Sequence, residues 1–204
     1  MPRIPRIAPQ EQKPYTLFVF PTIYDKINTD MNIPLDKIYE FHKLRTSCHI
    51  ASVNYFADLV GYHFPEHDND KNIEPIRTGY AYKNYASYHF EYKMPDNYSE
   101  LYELAHTIHH MHAPHHIEFY AGDATKISDT CLIEMICDWF SANFEQVNIL
   151  NDYEYKSVSD WFNAKMSNYN WTPVQLKIIH DVIEKLQRES DSNNLMRIWS
   201  TIKS

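Results

Sequence analysis

Residues 105–120 read Ala-His-Thr-Ile-His-His-Met-His-Ala-Pro-His-His-Ile-Glu-Phe-Tyr and set His106, His109, His110, His112, His115 and His116 beside Glu118. Core packing does not ask for imidazole at that density. Neutral imidazole is the commonest protein ligand for transition metals and also titrates near neutrality, so metal binding is the first chemistry to test. An exposed polar helix end that is rich in histidine would give the same composition. The choice turns on whether donors stand at sensible places elsewhere. The adjacent pair His67-Asp68, within His-Phe-Pro-Glu-His-Asp-Asn-Asp-Lys at residues 63–71, is such a place: neighbouring imidazole and carboxylate can converge on one cation, and the carboxylate can bridge to a second. Asp138 is another. It lies inside an apolar pattern beside Trp139 and four residues after Glu134, and a partly buried acid without a partner is costly.

Helical elements must position these groups. From Pro34 onward, Ile38, Phe41, Leu44, Cys48, Val53, Phe56 and Leu59 recur at threes and fours until Gly61, which predicts a first long helix. His42 and His49 share roughly one face of it, and His42 reads as a core histidine. Tyrosines crowd residues 80–92 and suggest a helix or cap that roofs something. Ser99 is the expected N-cap of a helix running into the histidine tract over Leu101, Leu104, Ile108 and Met111, with Pro114 as its stop. On that helix His106 and His110 are four apart and His109 and His112 three apart; either pair could chelate, but not both on one cation, and His106, His110 and His112 read as surface residues. Ser128 caps a core helix carrying Leu132, Ile133, Ile136, Cys137, Phe140 and Phe144. A helix over residues 153–166 and another opened by Thr172 and Pro173 close the fold. A last short helix is expected over residues 195–202.

The whole chain is 204 residues with a formal net charge of -8, 15% aromatic residues and only three glycines. One domain with a core of its own fits that length, and scarce glycine leaves little turn chemistry for a many-stranded sheet. The expected division is an extended, proline-punctuated arm over residues 1–33, a helical domain over 34–189 and a polar tail over 190–204. The acidic balance argues against duplex nucleic acid as a partner. Cys48, Cys131 and Cys137 are odd in number, without C-x-x-C spacing, and read as reduced thiols. No signal peptide or membrane-length apolar run is evident, so the expectation is a cytoplasmic protein.

Collected in order, His49, His67-Asp68 with Lys71, His109, His115-His116 and Asp138 resemble the HD-domain superfamily of helical metal-dependent phosphohydrolases. In that superfamily a helix histidine, a His-Asp pair and a later helix aspartate hold a metal, and the added histidines resemble the ligands of its dinuclear members. More narrowly, the chain resembles an uncharacterised family of bacterial and bacteriophage proteins. Its pattern is a helix histidine, His-Asp-x-x-Lys, an alanine-led helix into Pro-His-His-x-Glu, and Glu-Met-x-x-Asp-Trp, matched here at residues 67–71, 105–119 and 134–139. The Gly-Tyr-Pro signature of the cyclic-dinucleotide phosphodiesterases is absent, so that activity does not carry over.

The resemblance implies an all-α, HD-domain-like bundle holding one or two divalent ions (Mn, Fe, Ni, Mg or Zn). Asp68 would bridge, with His49, His67 and Asp138 completing the first set and His109, His115 and His116 as candidates for the second. A water activated at the metal would attack a small phosphorylated substrate. Lys71 would balance phosphoryl charge, His109 or a neighbour would protonate the leaving oxygen, and Glu118 and Glu134 would orient ligand imidazoles. Two rivals use the same residues: an HD-type di-iron oxygenase, and a non-catalytic metal-containing binding protein of phage type.

Overall fold

A computed structural model describes residues 33–203. The proline-rich arm and the apolar run at residues 16–23 lie outside the described residues. Within them the chain is all-α, with no strand: α1 (Leu35–Leu59), α2 (Ile76–Tyr88), α3 (Tyr98–His112), α4 (Asp129–Phe144), α5 (Val158–Trp161), α6 (Pro173–Glu189) and α7 (Ser192–Ser200). Short single-turn segments at Asn69–Asn72, Ile117–Tyr120 and Ala124–Lys126 fill the connections.

The long helix α1 is the spine. Pro34 enters it with an extended backbone and Gly61 leaves it at φ +85, a left-handed turn that only glycine takes without strain. Its buried stripe mixes apolar Ile38, Val53, Phe56 and Ala57 with polar His42, Thr46, His49 and Ser52. Other polar side chains of α1, Asn54 and Arg45, find partners that tie it to its neighbours. Asn54 bonds both the amide and the carbonyl of Phe64, which fixes the loop that carries His67 and Asp68. Arg45 pairs with buried Glu145, which also accepts from the Tyr88 hydroxyl, joining α1 to the end of α4 and to α2. α2 and α3 approach closely at Gly79, where an added Cβ would lie 2.6 Å from the Cβ of Ala105. That proximity brings Tyr80 onto the ring of His109, with centroids 5.8 Å apart.

The main core lies between α1, α4, α6 and α7, centred on Phe56, Leu132, Ile136, Ile179, Leu186 and Trp199. α6 begins with the expected Thr172 cap, completed by Gln175 as a reciprocal capping box. Two local expectations are corrected. α3 starts at Tyr98 after Asn97, so Ser99 lies inside it and is not its cap. Of the helix expected over residues 153–166, only Val158–Trp161 and a wider turn at Phe162–Met166 form. The last short helix expected within the polar tail forms as α7; its Leu195 and Trp199 are buried, and it meets α1 where the Cys48 thiol donates to the Ile198 carbonyl.

His42 gives the fold a pH dependence. Its Nε2 donates to the Lys71 carbonyl at 2.8 Å, and its Nδ1 accepts from the Asn84 amide at 3.0 Å, a pattern open only to the neutral ring. Burial, aided by the nearby Arg45, Lys71 and Arg77 charges, pushes its pKa down from 6.5 to about 4. Between those values the unfolded chain binds the extra proton, so this contribution is complete above pH 6.5 and is lost as pH falls toward 4. The loss is expected to reach up to ~3 kcal/mol. Urea melts of chelated wild type and His42→Gln at pH 7 and pH 4.5 check it: the variant should lose less stability on acidification, and equal losses would contradict the assignment.

Candidate metal centre

The donor residues come from five stretches of the chain. His49 faces inward from the middle of α1, and Asp138 does so from α4. His67 and Asp68 stand on the loop after α1, where Asp68 takes φ 58, a left-handed conformation unusual for a side chain other than glycine. His109 comes from the last turn of α3, and His115 and His116 follow the break at Pro114.

Asp68 is at the centre. Its Oδ2 lies 3.3 Å from His49 Nε2, 3.6 Å from His67 Nε2 and 2.6 Å from Lys71 Nζ. Its Oδ1 lies 3.2 Å from His109 Nε2 and 3.8 Å from His115 Nε2. Asp138 Oδ1 stands 2.9 Å from His49 Nε2 and 3.8 Å from His67 Nε2, while His116 Nε2 is 3.0 Å from His109 Nε2. Three overlapping triads therefore present ligand atoms within 4.8 Å of one another: His49-His67-Asp68, His67-His115-Asp138 and His109-His115-His116. His49, His67, Asp68, His109 and His115 are all buried.

The inward atoms lack hydrogen bonds. His49 Nε2, His67 Nε2, His115 Nε2 and Asp68 Oδ1 are each buried without a hydrogen-bond partner. Leaving such a group unsatisfied costs about 1–3 kcal/mol, and here four of them face the same small volume. A cation satisfies lone pairs on imidazole nitrogen and carboxylate oxygen together, and the grouping of these donors within 4.8 Å fits divalent ions.

The outward nitrogens, by contrast, are held. Glu134 Oε1 is 2.9 Å from His67 Nδ1 and 3.5 Å from His115 Nδ1, Asp70 Oδ2 is 2.8 Å from His109 Nδ1, and Ser141 Oγ is 2.9 Å from His49 Nδ1. Such contacts orient the ring and set which nitrogen is left with a lone pair. Asp70 and Ser141 escaped the sequence reading. Asp70 sits in a stretch that reads as a solvated acidic loop, and Ser141 is a small side chain among Phe140 and Phe144; its signal is a lone hydroxyl on a buried helix face.

Charge in the site follows this wiring. Burial would raise the Asp68 pKa, but His67 and Lys71 hold it well below the usual carboxylate range. Burial likewise opposes ionisation of Asp138, and the His49 and His67 rings outweigh it. His67 is pulled both ways: burial lowers it, while Asp68, Asp138 and Glu134 lift it to about 10. Without a cation, then, protons balance the carboxylates. Burial and the neighbouring charge on His67 push His115 down to about 3, and burial beside His115 and His110 pushes His116 lower still, so both keep the neutral form that ligation requires.

Above the donors opens a cleft of about 260 Å³, whose walls include His49, Asp138, His116, Lys71, Lys83 and Tyr80. His106 and His110, read from sequence as surface residues, also line it. They stack in series with His116, with centroids 3.8 Å apart at each step. Glu118 is half exposed, pairs with His110 Nδ1 at 3.3 Å and forms a further donor group with His110 and His116. Of the two glutamates, Glu134 is the one that reaches the His67 and His115 rings. His112 is exposed and its Nδ1 bonds the Ile108 carbonyl.

An all-α domain with a buried histidine–aspartate cluster able to hold metal ions is the class that fold and site define. Residues 38–189, about three quarters of the chain, match the family described as a family of unknown function, DUF5662, and the chain belongs to that family. The matched span contains every donor named above. No curated protein and no solved structure matches the chain. Among the described residues, no helix is long and apolar enough to cross a membrane, and Cys48, Cys131 and Cys137 are free.

Proposed function

We propose that the protein is a metal-dependent phosphohydrolase of HD type acting on a small phosphoester. The observation that carries the reading is the ring of orphaned donors around Asp68 beneath a cleft that Lys71 and Lys83 line. In a chain of net charge -8, cations placed beside a metal-binding cluster favour an anionic ligand.

The residues divide the work. His49, His67 and Asp138 would hold one ion, His109, His115 and His116 a second, with Asp68 shared between them. Bound divalent ions supply an acidified water and charge neutralisation at phosphorus. Lys71 Nζ lies 2.6 Å from Asp68 Oδ2 and 4.7 Å from the centre of the Tyr80 ring, so it stands ready to complement a phosphoryl oxygen without a flexible search. His109 is fully buried and absent from the cleft wall, which favours ligation over proton donation. The imidazole placed to pass a proton to a leaving oxygen is His110, which lines the cleft and pairs with Glu118, whereas burial beside His110 pushes His106 down to about 4.

Untagged protein should carry a transition metal by elemental analysis and hydrolyse members of a phosphomonoester and nucleotide panel when Mn, Ni, Fe or Mg is added, with activity lost to a chelator. Lys71→Met should lower kcat/KM by roughly 10²–10³-fold, as loss of one charge-stabilising group does elsewhere, at unchanged metal content. Full metal occupancy with no phosphoester turned over would defeat the proposal, and oxygen consumption by the iron form would replace it with the oxygenase reading.

A further inference from the structure

A second cavity, of about 360 Å³, adjoins the metal cleft: Ala142 and Gln146 line both. Its walls are aromatic and acidic. Trp139 and Trp161 meet edge to face with centroids 4.9 Å apart, and Tyr155, Asp152 and Glu154 stand beside them. No lysine, arginine or histidine lines this cavity, whereas Arg45, Lys71 and Lys83 line the cleft next door. Trp139 directly follows the donor Asp138 on α4, and Ala142 is one turn further on, about 6 Å along the helix axis by the ordinary rise per residue.

We infer that this cavity is a subsite for an organic ammonium group, so that the phosphoester is a zwitterion with its phosphoryl end in the cleft and its amine in the cavity that Trp139, Trp161, Tyr155 and Asp152 line. That the subsite serves a substrate rests on the phosphohydrolase reading; that it binds an ammonium does not. Indole faces attract cations through the ring quadrupole, Trp most strongly. Because the two indoles contact each other at 60°, the cation meets an indole face outside that contact, and the neighbouring Tyr155 ring already has Lys165 Nζ 5.7 Å from its centre. The carboxylates of Asp152 and Glu154 add the same sign of preference at the mouth, although Glu154 also accepts from the Tyr155 hydroxyl and lies 3.8 Å from Lys165. From phosphorus to the nitrogen of a two-carbon amino alcohol is four covalent bonds, a reach of about one helical turn.

Choline chloride titrated into chelated protein at constant ionic strength tests the subsite apart from catalysis, read by intrinsic tryptophan fluorescence. Saturable binding is expected, roughly tenfold tighter than for the uncharged isostere 3,3-dimethylbutan-1-ol. It should be lost in Trp161→Leu and weakened in Asp152→Asn, an exposed position where folding is not at stake. Equal binding of the uncharged isostere, saturable binding of uridine in its place, or no response at all would overturn the inference. With the metal-loaded enzyme, kcat/KM for phosphocholine should exceed that for 3,3-dimethylbutyl phosphate by a similar factor, and Asp152→Asn should shrink the ratio. An enzyme inert toward both esters but binding choline would leave the subsite standing and sink the phosphohydrolase reading alone.

Discussion

Asp68→Asn is expected to abolish the proposed metal binding, lowering affinity for each proposed ion by well over 100-fold and abolishing any metal-dependent activity. Loss of a group that merely orients a ligand typically costs ~10–100-fold, and Asp68 is placed as a ligand itself, with Oδ2 toward His49 and His67 and Oδ1 toward His109 and His115. Asparagine preserves the volume and one carbonyl oxygen but presents a non-coordinating amide to whichever half it faces. The variant also removes the negative charge that the buried Lys71 ammonium meets at 2.6 Å, so destabilisation of the apoprotein is expected as well and has to be separated. Elemental analysis after dialysis, with circular dichroism on the same sample, does so. A folded Asp68→Asn protein that retains wild-type metal content would show that the imidazoles alone hold the ions and that Asp68 is no bridge.

Much of this centre is visible in the sequence because its donors are chemically conspicuous. A His-Asp pair, a His-His pair after proline and an acid inside an apolar helix pattern each break a local expectation, and each proves to sit where the chain folds inward. What hides is geometry created by tertiary contact. His106 and His110 read as surface residues because a helix pattern cannot foresee that Tyr80, Tyr102 and His116 will enclose them in one cleft. Glu118 and Glu134 are equally good orienting carboxylates by type; only the path of the chain after Pro114 turns Glu118 outward to His110 and brings His115 to Glu134. Asp68 takes a left-handed backbone that no spacing rule reports. The helices themselves were legible where apolar periodicity was strong, as in α1, α4 and α6, and poorly legible at α5, where Trp161 and Phe162 pack within a wide turn whose period differs from 3.6.

The sharing of one orienting carboxylate between the two donor sets yields the second large effect. Glu134 Oε1 meets Nδ1 of His67 at 2.9 Å and Nδ1 of His115 at 3.5 Å, one ring from each set, whereas Asp70 serves only His109 and Ser141 only His49. Glu134→Ala is therefore expected to weaken both ions together, by roughly 10–100-fold each. Glu134→Gln should fall between it and wild type, since its amide oxygen can still accept from an imidazole N–H but carries no charge to raise ring basicity. Asp70→Asn should weaken only the ion held by His109, His115 and His116, and Ser141→Ala only the ion held by His49, His67 and Asp138. Competition against a chelating dye, run as a titration with two resolvable equivalents, distinguishes the three patterns. If Glu134→Ala shifted a single equivalent, the carboxylate would be serving one ring only, and the two halves of the centre would be wired independently through Asp68 alone.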